Sequence, residues 1–283
     1  MAPQTSPFDL FDAAAPESPV VLSVPHAGRD YPLAMQPALR VPLHLLTALE
    51  DRHVDSLALS ARGHEATIVQ RRARAWIDLN RSEQERDPAI DTGVSAKTSP
   101  APSAKLRGGL GLIPRRTGAI GEIWRRKLAG DEVDARIAHD HRPYHATLAT
   151  MLAAARARFG VAILLDVHSM PSLGGNGAQL VIGDRFGRTA PARMTARIET
   201  EAATAGVSVA LNTPYPGGHI IATHANPAHG IFAIQLEFDR ALYLDDALDQ
   251  PGNGLGATVA LLRRIIAALA DEATLRSGAI AAE

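Results

Sequence analysis

The stretch GVAILLDVHSMPS, residues 160–172, decides the fold of this chain. It begins with a run of apolar residues, 161–165, that is typical of a strand covered on both faces of a sheet. The run ends on Asp166, His168 and Ser169. Because side chains two apart on a strand point the same way, we expect Asp166 and His168 to lie together if the strand continues. The alternative is an ordinary strand end capped by polar groups, with a solvated histidine.

The composition excludes several classes of protein. The chain has 283 residues, a hydrophobic content of 46% and a formal net charge of −1, so it can bury a large core but has no electrostatic preference for nucleic acid or anionic membranes. It has no cysteine, which excludes disulfides, thiolate ligands and cysteine nucleophiles. Neither a membrane-spanning run nor a secretion signal is recognisable. We therefore expect a soluble, cytoplasmic protein, and its oligomeric state stays open.

The other apolar segments alternate with helical patterns and predict an α/β fold. Strands are predicted within residues 19–24, 66–79, 178–182, 207–211 and 231–236. Helices are predicted over residues 43–61, 119–128, 132–159, 190–205 and 256–270. Without an internal repeat or linker, the chain is expected to form one domain, residues 1–283, with a loosely ordered lead-in at residues 1–18. The Ser-, Pro- and Gly-rich segment 97–116 is expected to be a long loop, whose role as a lid is left open.

Polar residues stand where four apolar segments end. They are His26, Asp78, Asn80, Arg81, Asp166, His168 and Glu237. Because the carboxyl ends of parallel strands meet at one edge of a sheet, we expect these side chains to converge. Two histidines and one carboxylate form the ligand set of a catalytic zinc ion, and the lack of thiolates suits zinc or a similar divalent ion. Asp51 is the first candidate for the carboxylate, and Asp55 follows it by four residues on the predicted helix.

The remaining polar residues suggest the chemistry of hydrolysis. Zinc lowers the pKa of a water toward about 7, and Glu237 could take its proton and pass it to a leaving nitrogen. Asp166 could orient a metal ligand. Arginines at 72 and 74 fall on one face of the predicted strand, and together with Asn80 they indicate a site for an anion. A surface salt bridge is the alternative for any single arginine here.

Seven short motifs stand in order along the chain. They are VPHAG (24–28), EDRHVD (50–55), RAWIDLNR (74–81), GLGLIPR (109–115), DVHS (166–169), GGHI (217–220) and QLEFDRALY (235–243). In these motifs the chain resembles the N-formylglutamate amidohydrolase (formylglutamate deformylase) family over about residues 19–245. That family is similar to the zinc carboxypeptidases and aspartoacylases. The resemblance implies a three-layer α/β/α fold of zinc-carboxypeptidase-like type, with a central mixed, mostly parallel sheet and a single zinc ion.

The resemblance also implies the metal ligands. His26 and His168 match the zinc-binding histidines of the first and central strands. The carboxypeptidase-like pattern has a carboxylate three residues after the first histidine, and this chain has Arg29 there. We assign the third ligand to Asp51 in the motif EDRHVD. The alternatives are Asp55, Glu50 and, more remotely, Asp30.

Four further residues take roles by the same resemblance. Asn80 and Arg81 match a pair that grips a substrate carboxylate in the wider group. Arg74 stands where an arginine would stabilise the oxyanion, and Glu237 matches the general base and acid. The predicted protein is thus a zinc-dependent amidohydrolase for a small N-acyl amino acid. The resemblance implies N-formyl-L-glutamate as the substrate, formate and L-glutamate as the products, and a place in histidine degradation.

Two alternatives stay open at this point. One is a related zinc aminoacylase or carboxypeptidase-like hydrolase that acts on another amide. The other is a non-catalytic protein that binds small carboxylates, which would bind tightly without turnover. Glu237 together with two histidines argues against the second, because a protein that only binds needs no base beside a metal.

Overall fold

The computed structural model describes residues 6–95, 103–175 and 177–280, except for the side chains of residues 274–280. The chain divides into two compact units whose segments alternate along the sequence. The first unit consists of Met1–Asp9, Pro25–Glu50 and Gln70–Ala146, and the second of Leu10–Val24, Asp51–Val69 and Thr147–Glu283. The single domain expected over residues 1–283 stays a prediction.

The described residues form a seven-stranded sheet and a two-stranded hairpin. The strands are β1 (Phe8–Phe11), β2 (Val20–Val24), β3 (Ala66–Gln70), β4 (Arg116–Thr117), β5 (Gly121–Glu122), β6 (Ala162–Met170), β7 (Leu180–Gly183), β8 (Val209–Leu211) and β9 (Ile231–Asp239). Strands β4 and β5 form the hairpin, and the large sheet has the order β1-β3-β2-β6-β9-β7-β8. Strand β2 pairs parallel with β3 and β6, β6 with β9, and β7 with β8, whereas β7 and β9 are antiparallel. The predicted α/β fold with a mixed, mostly parallel sheet is confirmed.

Strand β6 lies in the middle of the large sheet because its sequence requires burial on both faces. All nine of its residues are buried, from Ala162 through Met170. It has a parallel neighbour on each side, in β2 and β9. The strand therefore continues through Asp166 and His168, and carries these polar side chains into the interior.

Seven α-helices lie within the described residues. They are α1 (Val54–Ala61), α2 (Ala104–Arg107), α3 (Gly130–Arg136), α4 (Arg142–Phe159), α5 (Ala192–Thr204), α6 (His219–His224) and α7 (Leu255–Ile280). A π-helical segment, Ile137–His141, joins α3 to α4, and short 3-10 helices span Leu33–Ala38, Leu43–Leu49, Pro227–His229 and Arg240–Leu242. In the second unit, α7 packs against α1, α5, β2 and β6. Over the part of the chain with assigned positions, no helix combines the length and apolar character that crossing a membrane needs.

The helix predicted over residues 43–61 is wrong, because the segment is broken. A 3-10 helix ends at Leu49, and α1 begins only at Val54. Glu50 is extended, and His53 adopts a left-handed conformation with φ of 55°. The apolar spacing could not reveal this break, since both halves bury their own leucines. Asp51 therefore lies in the break and not on a helical face shared with Asp55.

The strand predicted from residue 66 is shorter than expected. Strand β3 ends at Gln70, and residues 74–76 form a turn, so Arg72 and Arg74 do not alternate along a strand. The backbone N–H of Asn80 donates to Oδ1 of Asp78 at 2.9 Å, which favours a turn over an extended chain. Asp78, Asn80 and Arg81 consequently follow a loop and not a strand end.

Three further segments differ from the sequence-based expectations. The helix predicted at residues 119–128 is wrong, since the hairpin β4–β5 occupies its start and Gly121 has φ of +74°, which disfavours a helix. Strand β1 falls within the lead-in at residues 1–18, where no strand was predicted. Of the candidate lid at residues 97–116, residues 97–102 lie outside the described residues, and the rest includes α2 and β4.

Candidate metal centre

His168 stands at the centre of a buried cluster in the second unit. Its Nε2 lies 2.9 Å from Oδ2 of Asp166, and its Nδ1 lies 3.0 Å from Oδ2 of Asp51. The hydroxyl of Ser23 on β2 donates to Oδ1 of Asp166 at 2.7 Å. The expected proximity of Asp166 and His168 follows directly from their spacing on β6. A carboxylate that holds one ring nitrogen of a histidine in this way is typical of a metal-binding imidazole.

The charges around His168 favour a cation at this place. Burial alone would lower the pKa of His168, but the carboxylates of Asp166, Asp51 and Glu237 raise it well above its usual value. Glu237 belongs to the group because it pairs with His168 across the parallel strands β6 and β9. Three acidic groups around one imidazole therefore need positive charge, which a proton or a metal ion can supply.

Asp51 is held by a second contact that the sequence analysis missed. Nη2 of Arg240 donates to Oδ1 of Asp51 at 3.4 Å, and Nε of Arg240 donates to the hydroxyl of Ser169 at 3.3 Å. Asp51 is buried, with 2% of its surface exposed. Arg240 lies in the motif QLEFDRALY, so the sequence offered a signal, but nothing in it indicated which carboxylate the arginine would contact.

His26 has a different environment in the first unit. It follows β2, and its Nε2 lies 2.7 Å from Oδ1 of Asp78. Oδ2 of Asp78 accepts a hydrogen bond from Nε of Arg74 at 2.8 Å, and Nε of Arg81 lies 4.0 Å away. Burial would raise the pKa of Asp78, but Arg74, His26 and Arg81 hold it well below its usual range. Asp78 is therefore an ionised partner that fixes His26, a role that the sequence analysis did not assign.

Gly28 explains why the loop after His26 needs the motif VPHAG. A Cβ at this position would lie 2.2 Å from the carbonyl oxygen of Arg72 and 2.6 Å from the carbonyl carbon of Arg71. The loop is then fixed to the same backbone, because the N–H of Asp30 donates to the oxygen of Arg71 at 2.9 Å. Only glycine permits this close approach.

Both residues of the predicted carboxylate grip, Asn80 and Arg81, are buried. Arg81 donates from Nε to the oxygen of Leu110 at 2.8 Å and from Nη1 to the oxygen of Asn80 at 2.6 Å. Nε2 of His141 lies 2.8 Å from the oxygen of Arg81, and Nε2 of His145 lies 2.9 Å from the oxygen of Leu79. Hydrogen bonds to main-chain oxygens thus hold the segment that carries Asn80 and Arg81 in place.

The shared metal site predicted for His26, Asp51 and His168 stays a prediction, but each unit holds its own part of the ligand set. Asp51 and His168, in the second unit, bring two ligand atoms within 3.0 Å of each other, and Nε2 of His26, in the first unit, contacts Asp78. Each imidazole contacts a carboxylate through Nε2, so a metal would bind through Nδ1. Two imidazoles and one carboxylate fit zinc or a similar divalent ion. Of the alternative carboxylates, Glu50 accepts from the hydroxyl of Tyr31, Asp30 is exposed, and Asp55 lies in the first turn of α1.

Glu237 is buried near the C-terminal end of β9, which continues to Asp239 instead of ending at Leu236 as predicted. Its Oε1 accepts a hydrogen bond from Nε2 of Gln235 at 2.7 Å. Arg74, the predicted oxyanion-binding residue, lies in the turn before Asp78 in the first unit. Their catalytic roles stay predictions.

The comparisons with known proteins decide the family. Residues 18–244 match the family model described as N-formylglutamate amidohydrolase. The chain belongs to the N-formylglutamate amidohydrolase family. The family resemblance inferred from the seven motifs is therefore confirmed.

Similar proteins agree with this family. The crystal structure of an N-formylglutamate amidohydrolase from Ralstonia eutropha JMP134 is 33% identical, with 97% of this chain and 100% of that chain covered and a TM-score of 0.86. An N-formylglutamate deformylase of Pseudomonas aeruginosa is 29% identical over 237 residues, which cover 81% of this chain and 83% of that protein. The same name belongs to a Pseudomonas putida protein that is 29% identical, with 81% and 82% covered. A gene product of Agrobacterium tumefaciens, 19% identical with a TM-score of 0.69 over 94% of each chain, shares the fold.

Proposed function

We propose that this chain hydrolyses the amide bond of N-formyl-L-glutamate, giving formate and L-glutamate, with the help of one divalent metal ion. The observation that carries the proposal is the buried cluster around His168, with Asp51 and Asp166 on its two ring nitrogens and Glu237 beside it. Membership of the N-formylglutamate amidohydrolase family and the names of the relatives support the substrate.

The proposed metal ligands are His26, Asp51 and His168, and zinc is the first candidate among divalent ions. Such a metal supplies a water of lowered pKa and polarises the carbonyl of the amide. The chain itself prepares the site for this chemistry. Asp78 and Asp166 each hold one imidazole by Nε2, and Arg240 holds Asp51. Outer contacts of this kind fix the orientation of metal ligands.

Glu237 is the proposed general base and general acid. As a carboxylate it takes a proton from water, and as a carboxylic acid it returns that proton to the nitrogen of the leaving glutamate. One proton of the water goes to the nitrogen as the C–N bond breaks, and the oxygen joins the formyl carbon. The remaining proton leaves the resulting formic acid, which gives formate. Burial of Glu237, which is 8% exposed, protects this transfer from bulk water.

Arg74 is proposed to stabilise the negative charge that develops on the formyl oxygen. Its Nε is bound to Asp78 at 2.8 Å, which fixes the plane of the guanidinium and leaves the role of oxyanion donor to the Nη groups. The same carboxylate thus positions both His26 and Arg74.

Asn80 and Arg81 are proposed to bind a carboxylate of the substrate. Arg81→Ala should raise KM for N-formylglutamate much more than for an analogue whose α-carboxylate is blocked as an amide. Arg107→Ala, on the short helix α2, is a matched control for the loss of one arginine. Equal losses on the two substrates would contradict the assignment.

The proposed reaction can be tested directly. The purified protein should release formate from N-formyl-L-glutamate, lose this activity after treatment with a chelator, and regain it when zinc is added back. N-acetyl-L-glutamate, which differs only by one methyl group on the acyl carbon, tests whether the formyl group matters. Absence of formate release from the metal-loaded protein would contradict the proposed substrate, and activity that survives the chelator would contradict the metal.

We also propose that the enzyme works in the cytoplasm, where the reaction would serve histidine degradation. The cysteine-free composition supports a reducing compartment.

A further inference from the structure

Gln235 connects the proposed base to the backbone of a loop in the second unit. Gln235 and Glu237 are two residues apart on β9, so their side chains point the same way. Nε2 of Gln235 donates to Oε1 of Glu237 at 2.7 Å, and Oε1 of Gln235 accepts from the N–H of Gly218 at 2.9 Å. With 4% of its surface exposed, Gln235 is shielded from water that could replace either bond. The amide thus forms a buried bridge between a carboxylate and a main-chain donor.

The loop that carries Gly218 is held at fixed points. A Cβ at Gly183 would lie 2.8 Å from the nitrogen of Gly217, so the loop packs directly on the end of β7. The N–H of Arg185 donates to the oxygen of Pro216 at 2.8 Å. Gly217 has φ of +105°, which favours glycine. The N–H of Gly218 is therefore an anchored donor.

The hydrogen-bond chemistry allows only one orientation of this amide. A backbone N–H can only donate, so the oxygen of Gln235 must face Gly218. The amide nitrogen must then face Glu237, where it donates to a carboxyl oxygen. This contact holds Oε1 of Glu237.

We propose that Gln235 is a positioning residue that orients Glu237 for proton transfer and ties it to the Gly217–Gly218 backbone. The inference rests on the proposed function, in which Glu237 is the general base and acid. A base held in one orientation keeps its reacting oxygen at the distance that proton transfer requires.

The first test replaces the amide by a side chain of similar length without hydrogen-bonding groups. Gln235→Met should lower kcat for N-formylglutamate by roughly 10-fold, less than the roughly 100-fold expected for loss of the base itself. KM and the metal content should stay close to those of the native enzyme. Gln179→Met is the matched control, because Gln179 also accepts from a backbone N–H, that of Ser208, and should leave kcat unchanged. An unchanged kcat in Gln235→Met would overturn the proposal.

A double-mutant cycle separates positioning from a general structural role. In a Glu237→Gln background, Gln235→Met should cost little further activity, because there is no base left to orient. A structural role predicts the same loss in both backgrounds, and that result would overturn the proposal. If Gln235→Met does not fold, Gln235→Asn keeps the amide but shortens it, and the same loss of kcat and the same cycle are expected.

A measurement that does not depend on turnover tests the bridge itself. The amide proton of Gly218 should exchange slowly with solvent in the native protein and at least about 10-fold faster in Gln235→Met. Equal exchange in the two proteins would overturn the bridge. Failure of the native enzyme to hydrolyse N-formylglutamate would contradict the proposed function instead, and the exchange result would still report on the bridge.

Discussion

The two histidines proposed as metal ligands show how one arrangement can be built in two ways. His168 lies within β6, and its Nε2 contacts a carboxylate two residues away on the same strand. His26 follows the end of β2, and its Nε2 contacts Asp78 in a loop 52 residues away. In the first case regular strand geometry sets the contact. In the second case a turn and a glycine that permits close backbone approach set it.

The carboxylates that contact the two histidines also have different hydrogen-bond and charge partners. Asp166 accepts a hydrogen bond from a neutral hydroxyl, that of Ser23. Asp78 has Arg74 at 2.8 Å and Arg81 at 4.0 Å, and its pKa lies well below the usual range. The second arrangement depends on ionic contacts, so its residues should be coupled more strongly to the stability of the protein.

The largest expected effect tests whether the two histidines are equivalent as ligands. His168→Ala and His26→Ala should each abolish stoichiometric metal binding and lower hydrolysis of N-formylglutamate by more than about 100-fold. Loss of a residue that only contacts a metal ligand costs up to about 100-fold, and these variants remove a proposed ligand itself. Metal analysis and kinetics on the purified variants measure both. His64→Ala is the matched control, because the side chain of His64 is 77% exposed. A His26 variant that binds metal as well as the native protein would contradict the shared site.

The next effect distinguishes the two carboxylates. Asp166→Asn and Asp78→Asn should each lower metal affinity by roughly 10- to 100-fold. Asp78→Asn should in addition lower the free energy of unfolding by about 3–5 kcal/mol, because it leaves the charge of Arg74 without its buried partner. Urea denaturation of the metal-free proteins compares the two. The same loss of stability in both would show that the ionic contacts of Asp78 have no special weight.

A smaller effect is expected for the hydroxyl behind Asp166. Ser23→Ala removes one buried hydrogen bond and should cost about 1–3 kcal/mol of stability. Metal affinity should fall by less than the roughly 10-fold expected for the carboxylate itself. Denaturation and metal titration provide the measurements, with Ser60→Ala on the exposed face of α1 as the control. A larger loss of metal affinity than in Asp166→Asn would reverse the order of importance that we assign.

The smallest effect concerns the pH dependence of stability that His141 causes in the first unit. Burial lowers the pKa of His141, whose Nε2 lies against the carbonyl oxygen of Arg81 and whose Nδ1 lies 3.7 Å from Glu83. The unfolded chain therefore binds a proton at a higher pH than the folded protein does. Stability should fall as pH decreases below about 6.5, by up to about 1.4 kcal/mol per unit, until the folded protein also binds the proton. His141→Gln should flatten this dependence in unfolding experiments between pH 7 and 5, and an unchanged slope would contradict it.

The sequence predicts the surroundings of His168 on β6 and β9 well, because their geometry follows from a simple pattern. An apolar run fully buried on both faces requires a central strand, and the two-residue period of that strand places Asp166 and His168 together. Glu237 follows from the same reasoning on the parallel neighbour. These contacts depend on local spacing and on one pairing of strands.

The surroundings of His26, which consist of loops, could not be predicted in the same way. Nothing in the spacing of Asp78 indicates that it contacts His26, because the contact depends on where a turn directs the chain. The break between Leu49 and Val54 was also hidden, since both flanking helices bury apolar residues at helical spacing. Family resemblance suggested Asp51 as a metal ligand, which stays a prediction, whereas its contacts with His168 and Arg240 became visible only in three dimensions.

We propose above all that one metal ion is held by His26, Asp51 and His168. The most direct measurement is anomalous diffraction at the zinc absorption edge from a crystal of the zinc-loaded protein. We expect one strong peak in contact with Nδ1 of both histidines and with the carboxylate of Asp51. A peak that contacts other side chains, or only one of the two histidines, would contradict it.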